Sequence, residues 1–367
     1  MTIQKLLPEL FILRARFKYT KLDCQSFKAV QTLSAFVLFL LVSLPGCSEQ
    51  AIQKLQGSAQ GTTYHISYWS KSPVDPKAIQ ASIETEFGVI DKLLSNYRPD
   101  STIEVFNSTE NTADFAIGTE IVSLVRVART VHLASQGCYD LTIKPLFDLW
   151  GFQNDKQVVP QESAILQTLA QIGMSKLEEV DETQLRKKIA NLKVDLSSIA
   201  QGYSVERISQ VLAQHGVENY LVEIGGELKT NGHKPDNQPW RIALERPLPG
   251  EQVLHKVLTL PKDLPMAVMT SGTYRHYFEE NGIRYSHILD ARNGRPITHD
   301  LVSVTVIHPN PTVADAWSTA LICLGQHEGM KVANKEKIAA LFIQQQGTEL
   351  IESRSDALNA LTILTIH

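Results

Sequence analysis

Six strand-like segments follow one another between residues 220 and 307 with no regular helical partner, and that order limits the fold. They are Tyr220–Ile224, Trp240–Leu244, Val253–Leu260, Met266–Thr270, Arg284–Leu289 and Leu301–Ile307. Regular βα alternation would predict a parallel doubly wound sheet, whereas adjacent strands with helices set apart predict an α+β fold. A solute receptor built of two alternating lobes does not fit this order. The expected architecture is one compact domain of mixed sheets and packed helices.

The helices lie mostly in the first half. Asp75-Pro76 reads as an N-cap followed by proline at the first helical position, and Ile79, Ile83, Phe87, Ile90 and Leu94 follow at helical spacing. A second helix carries Ile121, Leu124, Val125, Ala128 and Val131, with Gly137 placed to close it. A third runs near Ile165, Leu169 and Ile172. A strand is expected over Thr62–Trp69. Leu192–Leu196 reads as a short strand feeding a helix through Ile199, Val205, Ile208 and Leu212, stopped at Gly216. A last helix is expected from Thr312 to Gly325, then a strand over Ala339–Gln344.

The N-terminus does not read as part of that domain. A basic stretch with Arg14, Arg16, Lys18, Lys21 and Lys28 precedes an apolar run over 29–44, which ends in Leu44-Pro45-Gly46-Cys47. This is the order of a secretory signal. A cysteine directly after a small residue resembles a bacterial lipoprotein cleavage box, so Cys47 is the expected lipidation site. The expected organisation is a signal peptide over 1–46, a tether over 47–58 and the domain over 59–367. The mature protein would be lipid-anchored on the periplasmic side of a bacterial membrane without spanning it.

Composition excludes several classes. Hydrophobic residues are 43% and charged residues 20% of the 367, which disfavours a disordered, fibrous or multispan chain. With 35 basic and 39 acidic residues the net charge is -4, giving no global field to attract nucleic acid. Four cysteines without a CxxC pair are too few for a disulfide scaffold. Cys24, Cys138 and Cys323 are expected to be buried or incidental.

Chemistry-bearing types cluster in short stretches. Residues 195–203, Asp-Leu-Ser-Ser-Ile-Ala-Gln-Gly-Tyr, sit at a strand-to-helix junction, where backbone N–H groups can meet an anion or merely cap a helix. Glu223-Ile224-Gly225-Gly226-Glu227 ends a strand with paired glycines, as a turn or a ligand loop. Asp315 and Thr319 are four apart near a helix start and share a face. Their oxygens suit a hard cation such as Mg²⁺, or else a cap and a buried hydroxyl. His287 falls in the middle of an expected strand, as a structural or a chemical residue.

Taken in order, these stretches resemble the ApbE family of FAD:protein FMN transferases. The resemblance starts at Gln60-Gly61-Thr62-Thr63-Tyr64 and continues through residues 94–101, Gly137-Cys138-Tyr139-Asp140-Leu141-Thr142 and Leu149-Trp150-Gly151-Phe152. It then takes in residues 195–203, 221–227, Thr270-Ser271-Gly272-Thr273-Tyr274-Arg275, Ser286-His287-Ile288-Leu289-Asp290 and Ala314-Asp315-Ala316-Trp317. Nine motifs in sequence order cover nearly the whole expected mature chain.

The resemblance implies cleavage of FAD at its pyrophosphate, attachment of FMN by a phosphoester to a Thr or Ser of a target flavoprotein, and release of AMP. It implies Mg²⁺ held by Asp315, Thr319 and the backbone carbonyl of Ser198, with FAD as substrate. Contacts to FAD carry over to Gln60, Tyr97, Cys138, Tyr139, Asp140, Asp195, Gln201 and Leu289, and the general base to His287. Gln60 stands where the family usually has Met, and Gln201 where it often has Lys. The implied acceptors are flavoprotein subunits of sodium-pumping NADH:quinone reductase or Rnf-type complexes. An Mg²⁺-dependent FAD pyrophosphatase and a non-catalytic FAD-binding lipoprotein are the alternatives.

Overall fold

A computed structural model describes residues 51–152, 157–248, 250 and 253–367. The expected signal peptide and the lipidation site Cys47 lie outside the described residues. Eight strands form the main sheet, numbered here β1 (Gln53–Ala59), β2 (Thr62–Trp69), β3 (Asn219–Ile224), β4 (Glu227–Asn231), β5 (Met266–Gly272), β6 (Leu301–His308), β7 (Ala339–Gln346) and β8 (Glu349–Arg354). They lie side by side in chain order, and every neighbouring pair is antiparallel. The sheet is therefore a meander, and the remaining elements are excursions from it.

The helices are α1 (Pro76–Leu94), α2 (Thr102–Ser108), α3 (Thr119–Ala134), α4 (Lys144–Trp150), α5 (Glu162–Leu169), α6 (Ser197–Gln214), α7 (Pro311–Lys335) and α8 (Asp356–Ala360). Six of them fill the excursion between β2 and β3, and α7 joins β6 to β7. A three-stranded sheet (Arg241–Glu245, Leu254–Thr259, Thr365–Ile366) and two hairpins, over 277–286 and 289–296, occupy most of the rest.

Both faces of the central strands are buried, because side chains alternate across a sheet. Met269 and its partner Val306 face a core shared with Ile199, Ile208, Trp317 and Leu321 of α6 and α7. Val268 and its partner Ile307 face the opposite way, onto Ile242, Leu258 and Leu358. This two-sided burial makes the strands read as nearly continuous apolar runs.

Several expectations hold to the residue. β2 spans Thr62–Trp69. In α1 the Asp75 side chain accepts from Lys77 N at 2.9 Å, and the five apolar positions are all buried. Gly216 takes φ +75° just beyond α6, where Val217 N donates to Leu212 O, a left-handed helix stop.

Other expectations are corrected. The tether over 47–58 is structured from Gln53, because β1 pairs with β2 along its whole length. Leu192–Leu196 is mostly buried but joins no ladder. Asn107 takes the place of a neighbouring strand there: its amide accepts from Val194 N at 2.7 Å and donates to Val194 O at 2.9 Å. α7 does not stop at Gly325 but kinks there (φ 75°, ψ 178°) and runs on to Lys335. The expected strand over Arg284–Leu289 is two, Ile283–Ser286 and Leu289–Asp290. Ser286 Oγ accepts from Ile288 N at 3.1 Å and turns the chain between them. His287 therefore sits at a bend.

The cysteine reading is also corrected. Cys138 and Cys323 are buried as expected, but they form a disulfide across 185 residues, with Cα atoms 6.1 Å apart.

Candidate active site

α6 and α7 cross at Gly202, and the crossing sets the site. A Cβ at 202 would overlap the Pro311 carbonyl oxygen and lie 2.7 Å from Asp315 Cβ, so glycine lets the two helices touch. The backbone N–H of Gly202 then donates to Asp315 Oδ2 at 2.7 Å. Burial pushes the Asp315 carboxyl up to about 7, against this hydrogen bond.

Glu227, first residue of β4, is buried in the same electrostatic neighbourhood. Both its carboxylate oxygens accept from Thr270 N, at 3.2 and 3.0 Å. Burial, and then the Asp315 charge, hold Glu227 well above the usual carboxylate range. One helical turn beyond Asp315, Thr319 Oγ1 lies 3.2 Å from Ser271 Oγ, which is 2.8 Å from Ser318 Oγ. The side chains Asp315, Glu227, Thr319, Ser318 and Ser271 offer only oxygen donors. Two buried carboxylates that repel one another among hydroxyls fit a hard divalent cation, which would relieve that repulsion. Ser198, whose carbonyl is the third expected ligand, lies in the first turn of α6, one turn before Gly202.

The loop after α3 reaches this site through Tyr139. Gln136 and Gly137 take positive φ (54° and 86°), reversing the chain so that Cys138 and Tyr139 turn inward. The Tyr139 hydroxyl accepts from Ser198 Oγ at 3.1 Å. Burial raises the Tyr139 pKa, and the charges of Asp315, Asp195 and Asp140 raise it further, which puts this phenol amid three carboxylates.

Asp140 and Asp195 mainly hold their own loops. Asp140 accepts from Thr142 N at 2.7 Å, from Thr142 Oγ1 and from Met174 N at 3.0 Å. Asp195 accepts from Ser197 N at 2.8 Å, from Ser197 Oγ and from Asn96 Nδ2 at 2.6 Å, and burial raises its pKa. Leu289 packs its side chain among Leu146, Trp150 and Phe278.

Gln60 and Gly61 form the two-residue turn of the β1–β2 hairpin, both with positive φ (54° and 74°), the primed geometry such hairpins favour. Gln60 Nε2 donates to Ser204 Oγ on α6 at 2.8 Å. Gln201 donates through Nε2 to Ile224 O at 2.6 Å, tying α6 to the Gly225-Gly226 turn. Tyr97 is 83% exposed, in the loop after α1.

His287 has a defined tautomer. Its Nδ1 lies 2.9 Å from the His276 carbonyl oxygen, which can only accept, so Nδ1 carries the proton and Nε2 is bare. The His276 ring meets it edge to face at 5.4 Å between centroids. Burial lowers the His287 pKa to about 4, outweighing the carbonyl, which raises it. The ring is therefore neutral at pH 7, as a proton acceptor must be.

The chain is similar to known proteins in sequence and fold. The family model described as "ApbE family" matches residues 60–342. The chain belongs to the ApbE family. The FAD:protein FMN transferase of Vibrio cholerae is 38% identical over 307 residues, 83% of this chain and 91% of that protein. The FAD:protein FMN transferase of Haemophilus influenzae is 33% identical over 340 residues, 88% and 95% of the two chains. Among solved structures, the apo flavinyl transferase ApbE of Pseudomonas stutzeri superposes with a TM-score of 0.78 at 38% identity, covering 86% of this chain and 98% of that one. The flavin transferase ApbE of Vibrio cholerae gives 0.77 at 35%, covering 85% and 99%. The α+β ApbE fold expected from the sequence is thus the fold of this chain.

Glu227, Ser271 and Ser318 join the oxygen cluster, and His276 orients His287, without having been singled out as site residues. Glu227 and Ser271 stand inside quoted motifs, and Ser318 stands between the two expected metal ligands. His276 acts through its backbone, for which the residue type carries no signal.

Proposed function

We infer that this protein is an FAD:protein FMN transferase, on the membership just given, with a buried oxygen cluster and a neutral, carbonyl-oriented histidine in support. Asp315 and Thr319, with the Ser198 carbonyl, would hold Mg²⁺. The ion would neutralise charge on the pyrophosphate and orient it for attack. Tyr139 and Cys138 would line the flavin nucleotide, with Asp140 and Asp195 keeping their loops in place. Gln60, Tyr97, Gln201 and Leu289 complete the proposed FAD-contacting set.

The chain's own proton chemistry follows from His287. Nε2 takes the proton of the acceptor Thr or Ser hydroxyl, whose oxygen attacks the FMN phosphorus. The bond from that phosphorus to the bridging oxygen breaks, and AMP leaves with the bridging oxygen. A hydroxyl is a weak nucleophile until its proton has an acceptor, and the His276 carbonyl keeps the accepting nitrogen bare. The test is incubation with FAD, Mg²⁺ and an acceptor subunit, read by in-gel flavin fluorescence. A covalent fluorescent band is expected. FMN and AMP formed equally fast without acceptor, and no band with it, would favour the pyrophosphatase instead.

The proposed setting is the periplasmic side of a bacterial membrane, with Cys47 lipidated and flavoprotein subunits of sodium-pumping or Rnf-type complexes as acceptors. The Cys138–Cys323 disulfide supports an oxidising compartment. Among the described residues no helix is long and apolar enough to cross a membrane. Mass spectrometry of a membrane extract should find a diacylated Cys47 N-terminus; an intact peptide across Gly46-Cys47 contradicts this.

A further inference from the structure

We propose that the Cys138–Cys323 disulfide is a positioning link, setting the flavin-side loop against the helix that carries the metal ligands. It rests on the assignment of the Tyr139 loop to FAD. A disulfide stabilises a protein mainly by restricting its unfolded chain, so its existence alone argues stability. Its endpoints argue more.

Cys323 lies on α7 one turn beyond Thr319 and two beyond Asp315. At 1.5 Å per residue, Thr319 and Cys323 are about 6 Å apart along the helix axis. Cys138 directly precedes Tyr139, whose hydroxyl meets Ser198. The carbonyl of Cys138 accepts from Ala291 N at 3.4 Å, in the segment that follows His287 and Leu289. Cys138 thus ties two parts of the site itself, one by a hydrogen bond and one covalently, and its neighbour Tyr139 reaches a third.

The two sulfurs and Asp290 cluster closely enough to hold an ion, but the sulfurs are bonded to each other and Arg292 grips the Asp290 carboxylate at 2.7–3.1 Å. The cluster is a structural joint. FAD has to meet the loop at one end and the metal helix at its pyrophosphate, so their separation sets the reacting geometry.

The test reduces the full-length protein with dithiothreitol. Two electrons and two protons convert the disulfide to two thiols while the reagent closes its own disulfide. Alkylation and mass spectrometry confirm thiols at Cys138 and Cys323. At a temperature where circular dichroism shows the fold intact, kcat/KM for FAD should fall roughly 10- to 100-fold, the scale of lost outer-shell positioning. Mg²⁺ affinity measured without FAD should stay unchanged, and reoxidation should restore transfer. Cys323→Ala should match the reduced protein, which carries the test alone if that variant fails to fold. An unchanged kcat/KM in the reduced protein, or free thiols at both positions before reduction, overturns the link. Tyr139→Leu separates the two assignments: a loss there without one on reduction overturns the link alone, and no loss in either overturns the flavin assignment as well.

Discussion

The backbone N–H of Gly202 donates to the Asp315 carboxylate across the α6–α7 crossing at 2.7 Å. The bond exists because residue 202 has no side chain, and it fixes the carboxylate 113 residues further along the chain. Gly202→Ala should therefore push the helices apart. The strain of such overpacking is about 1–3 kcal/mol. A lowered Tm together with weakened Mg²⁺ binding is expected. Thermal melts with and without Mg²⁺ measure both, and an unaffected Mg²⁺ affinity contradicts the role given to this crossing.

Asp315→Ala should remove transfer while leaving the fold intact. Metal stabilisation of transferring phosphoryl charge is worth several kcal/mol, on the order of 10³-fold in rate. Asp315→Asn keeps an acceptor for Gly202 and discards the charge, so it should fold well and transfer as poorly as the alanine variant. Thr319→Val should be milder, because water can replace a neutral ligand. Near-normal transfer by Asp315→Asn at limiting Mg²⁺ would refute the metal assignment.

Burial raises Asp315 to about 7, whereas an unfolded aspartate titrates near about 3.9. Between these values the native state binds more protons than the unfolded one, so metal-free stability should fall as pH rises through that window. A bound divalent cation displaces the proton. Mg²⁺ should therefore raise the Tm more at pH 8 than at pH 5, a ligand at 100 times its Kd contributing about 2.7 kcal/mol. Differential scanning fluorimetry at the two pH values decides it; an equal Mg²⁺ shift at both would separate the ion from Asp315.

His287→Ala should bind FAD and Mg²⁺ yet transfer slowly. General base catalysis contributes roughly 10²–10⁴ in rate, about 3–5 kcal/mol of barrier. The residual rate should climb with pH, since hydroxide partly replaces the base. In the native protein the active neutral imidazole is lost only as pH falls through about 4. At saturating Mg²⁺ and FAD, single-turnover transfer should be flat from pH 8 down to pH ~5.5, well above that pKa. A limb near pH ~6.5, the ordinary histidine value, would show an unshifted base or a different one.

The sequence by itself determined much of this protein. The α1 cap at Asp75, the span of β2, the left-handed stop at Gly216 and the pairing of Asp315 with Thr319 on one helix face all follow from local rules of spacing and backbone freedom. So does the family, because its motifs are short, ordered and spread along the chain. Tertiary structure alone decided the rest. Asn107 stands in for a strand beside Val194, Cys138 finds Cys323, Glu227 comes to share charge with Asp315, and the His276 carbonyl selects the His287 tautomer. Each joins residues that no local period relates, through a backbone group, a buried charge or a sulfur whose partner is set by how the excursions from the meander fold back. The shift of His287 from an ordinary histidine to one neutral far below pH 7 has the same origin: residue type fixes the reference pKa, and only packing removes the water that would stabilise the charge.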